Sequence, residues 1–172
     1  MLSAIVLSYN RRESEMVPER EARLKMRYKQ GVTLVAIGLG SNLGERAATI
    51  ERAASALGER FADVRLSPLY ETAPMYDLDQ PAFVNGVALL RTHLGPYATL
   101  QTLKALECEL GREPRRPNGP REIDLDLIAY GRLTLRSKGT GLAPLALPHP
   151  RAFERRFVLQ PLVDLDPTFE LV

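Results

Sequence analysis

Two stretches of helical periodicity, separated by two consecutive strand-like runs, constrain this chain more than any other feature. Thr33–Ile37 is a short apolar, partly β-branched run that stops at Gly38 and predicts a first strand. GLGSNLG then predicts a turn, with Ser41 or Asn42 placed to cap a helix. From Glu45 to Leu57 the residues Ala47, Ile50, Ala53, Ala54 and Leu57 recur at helical spacing, and Gly58 follows as a stop signal. Val64–Thr72 predicts a second strand, at an edge or bulged because Pro68 interrupts it; Phe83–Arg91 predicts a third. Pro96 opens a second helix carrying Leu100, Leu103, Leu106, Glu107 and Leu110, closed by Gly111, and Glu122–Tyr130 predicts a fourth strand. The order β-α-β-β-α-β predicts an α+β fold with a ferredoxin-like core, one antiparallel sheet with both helices on one face. A C-terminal extension adds a loop through Gly139–Gly141, the turn LPHPR, and Phe157–Leu162 as an expected further strand.

At 172 residues the chain suits one domain with a sizeable core. We expect residues 1–31 to form a flexible arm and residues 32–172 the single domain. MLSAIVLSYN lacks the basic flank and small-residue cleavage site of a signal peptide, and the glutamates that follow argue against a transit peptide. A natural start at Met26 would leave most of the arm out. The lone Cys108 excludes an intramolecular disulfide and a cysteine-built zinc site, and its place in a helical pattern suggests packing rather than chemistry. No apolar run approaches the ~20 residues that span a bilayer. A cytoplasmic location is expected.

Chemistry concentrates between Gly111 and Tyr130, in GREPRRPNGPREIDLDLIAY. Alternate strand residues share a face, so Asp124 and Asp126 project one way while Ile123, Leu125 and Leu127 project the other. Paired carboxylates repel unless a cation stands between them, and a hard divalent ion such as Mg²⁺ takes carboxylate oxygens and usually brings phosphate. Arg112, Arg115, Arg116 and Arg121 lie just upstream, and guanidinium is the planar fork that suits phosphate. Taken singly, the carboxylates could equally be the solvated face of an amphipathic strand. The arginines could be a solvated loop, and their prolines a polyproline ligand for another domain. Together they suggest phosphoryl transfer.

Other candidates are less specific. The glycines of GLGSNLG miss the G-x-G-x-x-G dinucleotide pattern by one position and no Walker lysine follows, so a tight turn is expected whose backbone could approach a ligand. His149, between two prolines and followed by Arg151, Arg155 and Arg156, reads as a second phosphate-contacting segment or a solvated basic turn. His93 reads as a surface residue. Asn85 interrupts an apolar strand, where its amide needs partners from a turn, the sheet or a ligand. Glu107 is by default solvated.

With these residues assembled, the chain resembles the 6-hydroxymethyl-7,8-dihydropterin pyrophosphokinases of folate synthesis. The likeness runs from about Thr33 to Pro167. It rests on GSNLG at 40–44, YETAPM at 70–75, QPAFVNGV at 80–87, GPREIDLDLIAYG at 119–131, and LPHPR followed by RRFVLQPL at 147–162. The resemblance implies transfer of the terminal diphosphate of ATP to the pterin hydroxymethyl oxygen, releasing AMP. It implies that Asp124 and Asp126 bind two Mg²⁺ ions, with Arg112 and Arg121 among the catalytic groups. It places Lys104, Glu107, Arg115, Arg116, Leu127, His149 and Arg155 at ATP. The pterin would meet Thr72, Ala73, Met75, Phe83 and Asn85, with Phe157 as an aromatic wall.

The resemblance further implies a monomer that handles small molecules, with no nucleic-acid or membrane partner. Three departures stand out. Asn118 occupies a position where many members carry tryptophan, the arginine loop is about one residue shorter, and Lys104 replaces a glutamine found in some members.

Two other classes compete. A ferredoxin-like nucleic-acid binder would use the basic loop and exposed sheet aromatics. A net charge of +2 and an aromatic content of 6% speak against it. A palm-type nucleotidyl transferase also uses two strand carboxylates and two metals, and would release pyrophosphate.

Overall fold

The computed structural model describes residues 31–75, 77–138 and 143–171. The expected arm therefore lies outside the described residues apart from Gly31, as does the loop through Gly139–Gly141. β1 (Thr33–Ser41) runs through the middle of the antiparallel main sheet. On one side it pairs with β4 (Phe83–Thr92), which in turn pairs with β2 (Ala62–Leu66) and β3 (Tyr70–Thr72). On the other side it pairs with β5 (Asp124–Tyr130). With the helices α1 (Arg46–Arg60) and α2 (Pro96–Glu109) the order is β-α-β-β-β-α-β, the expected β-α-β-β-α-β with its second strand divided in two.

Side-chain alternation builds the main core. Val35, Ile37 and Leu39 of β1 join Ile50, Ala53 and Leu57 of α1 and Leu103 and Leu106 of α2 in one buried cluster. Leu125 and Leu127 of β5 belong to it, as the period-two reading requires, with Ile123 just before them. Both early helices thus cover the same face. A small hairpin of β6 (Leu135–Ser137) and β7 (Leu145–Leu147) adds Leu145 and Leu147 to that cluster.

Several expectations are corrected. β1 does not stop at Gly38 but continues to Ser41, because β4 and β5 hold it from both sides: Gly40 pairs with Asn85 and with Asp124. The turn is confined to the residues after Ser41, with Gly44 at φ +62°. Neither Ser41 nor Asn42 caps α1, whose N-cap is Glu45 without a side-chain bond. The predicted second strand is two short strands around Ser67 and Pro68, both along the same edge of β4. The fourth strand begins at Asp124, not Glu122. Cys108 is exposed rather than packed.

The segment expected as a last strand is instead α3 (Arg156–Leu165). Phe157, Val158, Pro161, Leu162 and Leu165 fall at helical spacing, a pattern hidden because the short, largely apolar run Phe157–Leu162 also reads as a strand. Pro161 gives up the bond to the carbonyl four residues back. The helix is held by packing: Val158 and Leu162 bury against Ala36, Val87, Leu89, Ile128 and Ala129 on the sheet face opposite α1 and α2. Tyr70 donates a hydrogen bond to Asp164, tying the edge strand β3 to the same helix. Between α3 and the arginine loop, this second face stays open over Gly38, Gly40, Asp124 and Asp126.

Candidate active site

The sheet register lines up the chemistry in two rows. Asn85, Gly40 and Asp124 lie side by side across three strands, and Val87, Gly38 and Asp126 form the next row. The two glycines are needed for space rather than for turning. A Cβ on Gly40 would stand 3.1 Å from Asn85 Oδ1, and one on Gly38 would stand 3.2 Å from Ile128 Cδ1. Their missing side chains leave the floor of a slot clear beside both carboxylates.

Phe83 and Phe157 flank this slot, and Thr72, Ala73 and Met75 form its outer lip. Asn85 Nδ2 donates to Thr72 Oγ1 at 2.8 Å, so the buried amide has one fixed partner and keeps its oxygen toward the slot. The Arg121 guanidinium lies 5.0 Å over the Phe83 ring, and that of Arg155 lies 5.5 Å over the Phe157 ring. Both arginines also reach the carboxylates: Arg121 Nε is 3.0 Å from Asp124 Oδ2, and Arg155 is 3.7 Å from Asp126. The buried Nε of Arg155 has no hydrogen-bond partner among the described residues.

A second cleft of about 570 Å³ opens on the other side of Asp126. Tyr97, Leu100 and Lys104 of α2 form one wall, while Leu127, Leu145 and His149 form the others. Asp126 lines both spaces. Leu127 is mostly committed to the core, at 3% exposure, and shows the cleft only an edge. His149 is fixed through its own N–H, which donates to Ile128 O at 2.8 Å, and its Nδ1 accepts from Arg151 N–H at 3.2 Å.

Behind Asp124 stands a buried ion network. Glu107, expected to be solvated, is 3% exposed. It accepts from Lys104 Nζ at 2.6 Å and from Leu125 N–H at 2.6 Å, and meets Arg112 at 2.7 Å. Arg112 also donates to Asp124 Oδ1 at 2.7 Å. Glu107 thus anchors α2 to β5 and aims Arg112 at Asp124, which its polar character within a helical pattern could not disclose.

The charges separate the two aspartates. Burial pushes the Asp124 carboxyl up, but Arg121, Arg112 and Lys104 outweigh it and hold the group below its ordinary range. Asp126 is pushed up, first by burial and then by the charge of Asp124. Burial lowers His149 despite the attraction of Asp126. Among the described residues no three or more His, Cys, Asp or Glu side chains gather as a ready metal cage. Two carboxylates over a cleared floor instead suit a hard cation that completes its shell with phosphate and water.

The structure therefore brings Asp124, Asp126, Arg121, Arg155 and the slot residues together, and sets Lys104, Leu127 and His149 in the adjoining cleft. It does not bring Arg115 or Arg116 to either space. Arg115 pairs with Glu113 and Glu122, and Arg116 pairs with Asp77. Asn118 sits at φ +58°, a left-handed position that Asn tolerates better than most residues. Two residues to which the sequence reading gave no role at the site also matter. Asn42 and Gln80 join the loops around the slot; their chain separation gave no local signal.

Two clefts meeting at paired carboxylates, with arginines above them, define a site suited to moving a phosphorylated group between two ligands. Residues 36–167 match the family described as 7,8-dihydro-6-hydroxymethylpterin-pyrophosphokinase, and the chain belongs to that family. A Pseudomonas aeruginosa protein named 2-amino-4-hydroxy-6-hydroxymethyldihydropteridine pyrophosphokinase is 44% identical over 80% of this chain and 83% of its own length. The Bacillus subtilis protein of the same name is 36% identical over 75% of each. The Pneumocystis carinii folic acid synthesis protein fol1 is 46% identical over 76% of this chain. The chain spans 17% of that protein and 25% of a pea folate synthesis bifunctional protein named as mitochondrial. No helix among the described residues is long and apolar enough to cross a membrane.

Proposed function

We propose that this chain transfers the terminal diphosphate of ATP to the hydroxymethyl oxygen of 6-hydroxymethyl-7,8-dihydropterin, releasing AMP. The observation that carries this reading is the position of Asp126, which lines both clefts and so faces two ligands at once. The slot suits the flat pterin, with Phe83 and Phe157 at its faces and Asn85 and Thr72 at its polar edge. Arg121 and Arg155, now over those rings, would yield the faces to the pterin and turn to phosphate. Ala73 and Met75 close the outer side.

The larger cleft suits the nucleotide, with Leu127 and Lys104 along its walls and His149 at its rim. The triphosphate would then cross Asp126 toward the pterin. Asp124 and Asp126 would hold Mg²⁺, with two ions in this reading. When bound, the metal neutralises and orients the phosphates. The bond from the hydroxymethyl oxygen to the β-phosphorus would form as that hydroxyl loses its proton to solvent and the bond to the α–β bridging oxygen breaks, so that AMP leaves with that oxygen. The chain's own contribution is alignment and fixed positive charge, the main requirements of phosphoryl transfer. Arg121 and Arg112 supply that charge from the Asp124 side, and Arg155 from the Asp126 side. Glu107 acts through Lys104 and Arg112 rather than on the nucleotide itself. Arg115 and Arg116 would join the ATP side only by leaving their present carboxylate partners.

The reading extends to a cytoplasmic monomer. Both clefts are lined by one chain, so the site needs no second copy. Incubation with Mg²⁺ and ATP, with and without hydroxymethyldihydropterin, tests the activity. AMP that forms only with the pterin present is expected. Release of pyrophosphate would support a nucleotidyl transferase instead, and absence of turnover would contradict both.

A further inference from the structure

Asn42 lies just past the end of β1, where both flanking ladders stop, and its side chain takes over from them. It is buried, at 1% exposure. Its Oδ1 accepts from Arg121 N–H at 2.7 Å, and its own N–H donates to Arg121 O at 3.1 Å. On the other side, its Nδ2 donates to Gln80 Oε1 at 3.0 Å and to Pro81 O at 3.1 Å. One short side chain must offer an acceptor and two donors for this, which asparagine does and Asp, Ser or Leu do not. Gln80 carries the connection on by donating to Asn118 O at 3.0 Å, across to the arginine loop.

What Asn42 fixes is the main chain of Arg121, the residue whose guanidinium stands between Phe83 and Asp124. Asn42 itself lines neither cleft. We infer that Asn42 is a positioning residue for the transfer step, setting the height and angle of Arg121 over Asp124. The inference rests on the reading of Arg121 as a residue of that step. Misplacement of a reacting-site group by about 1 Å can cost ~10²-fold in rate, so a lost clasp should appear in kcat rather than in nucleotide binding.

A double-mutant cycle tests it: Asn42→Ala, Arg121→Ala and the double variant, each assayed for AMP formation with pterin and for thermal stability. Asn42→Ala is expected to lower kcat by about 10²-fold with the KM for ATP little changed. The double variant is expected to be no slower than Arg121→Ala, because Asn42 acts through that arginine. Losses that multiply overturn the inference, as does wild-type kcat in Asn42→Ala while Arg121→Ala is slow. An Arg121→Ala variant as fast as wild type overturns the underlying reading of Arg121, and the inference with it. Should Asn42→Ala fail to fold, Asn42→Leu replaces it in the cycle. It keeps the bulk of the side chain and loses both the acceptor for Arg121 N–H and the donors, and the same absence of further loss beside Arg121→Ala is required.

Discussion

Asp124 and Asp126 leave the same face of β5, yet Asp124 is held by Arg112 at 2.7 Å and Arg121 at 3.0 Å, while the ion pair of Asp126 among the described residues is the longer one to Arg155, at 3.7 Å. The first carboxylate is therefore the fixed anchor of an ion network. The second has unused capacity and faces both clefts.

Replacing either aspartate by alanine is expected to reduce turnover by about 10²–10³-fold or more, a loss typical of removing a charge-stabilising group. Stability should separate them. Asp124→Asn leaves Arg112 and Arg121 facing a neutral amide and should lower Tm, whereas Asp126→Asn removes a repelling charge and should not. Steady-state kinetics with thermal melts checks this, and wild-type turnover in either alanine variant would remove the metal assignment.

Glu107→Ala would strip Leu125 N–H, Lys104 and Arg112 of a shared acceptor inside the protein. Breaking a buried ion pair costs about 3–5 kcal/mol, although the exposed side of Lys104 reduces its share. A destabilisation of about 3 kcal/mol in denaturant unfolding is expected. A change within about 0.5 kcal/mol, the range of surface substitutions, would mean that the network is not structural.

Asn85→Ala should weaken pterin binding about 10-fold, the value of a hydrogen bond worth about 1.4 kcal/mol, with ATP affinity unchanged. Gly40→Ala should act in the same direction, because its new methyl crowds Asn85 Oδ1. Calorimetric titration of each ligand distinguishes the cases. An effect on ATP alone would exchange the assignments of the two clefts.

The bond to Asp164 raises the Tyr70 hydroxyl from 10.0 to about 12, with burial adding to it. A group whose pKa rises on folding contributes stability below its unfolded value and loses it as pH climbs through its folded value. The stability advantage of wild type over Tyr70→Phe should hold up to about pH 10 and fall between pH 10 and about 12. A pH-independent difference would show that the hydroxyl does not hold α3 to β3.

The main sheet and its two covering helices were legible because Ile50, Ala53 and Leu57, or Leu125 and Leu127, repeat at the period of their element. Asp124 and Asp126 were legible for the same reason. α3 was not, because a six-residue, largely apolar run, Phe157–Leu162, satisfies a strand pattern as well as a helix. The strand character of Gly38 and Gly40 depends on neighbours supplied by β4 and β5, and no local signal in GLGSNLG reports them. Glu107 and Asn42 were misread for a similar reason. Asn42 meets Arg121, Gln80 and Pro81 only through the fold, and Glu107 is buried by its bond to Leu125 N–H on β5, so each looked like a helix cap or a solvated acid. The ordered motifs of the pyrophosphokinase family placed the slot and cleft residues, but not the clasp that holds their loops together.

The account depends on two ligands meeting at Asp126. The most direct measurement follows ATP labelled at the β-phosphorus, incubated with Mg²⁺, hydroxymethyldihydropterin and the protein. The label should appear in the pterin product in step with AMP, and should do so far more slowly with Asp126→Asn. Label released as free pyrophosphate, or retained in ADP, would contradict the account.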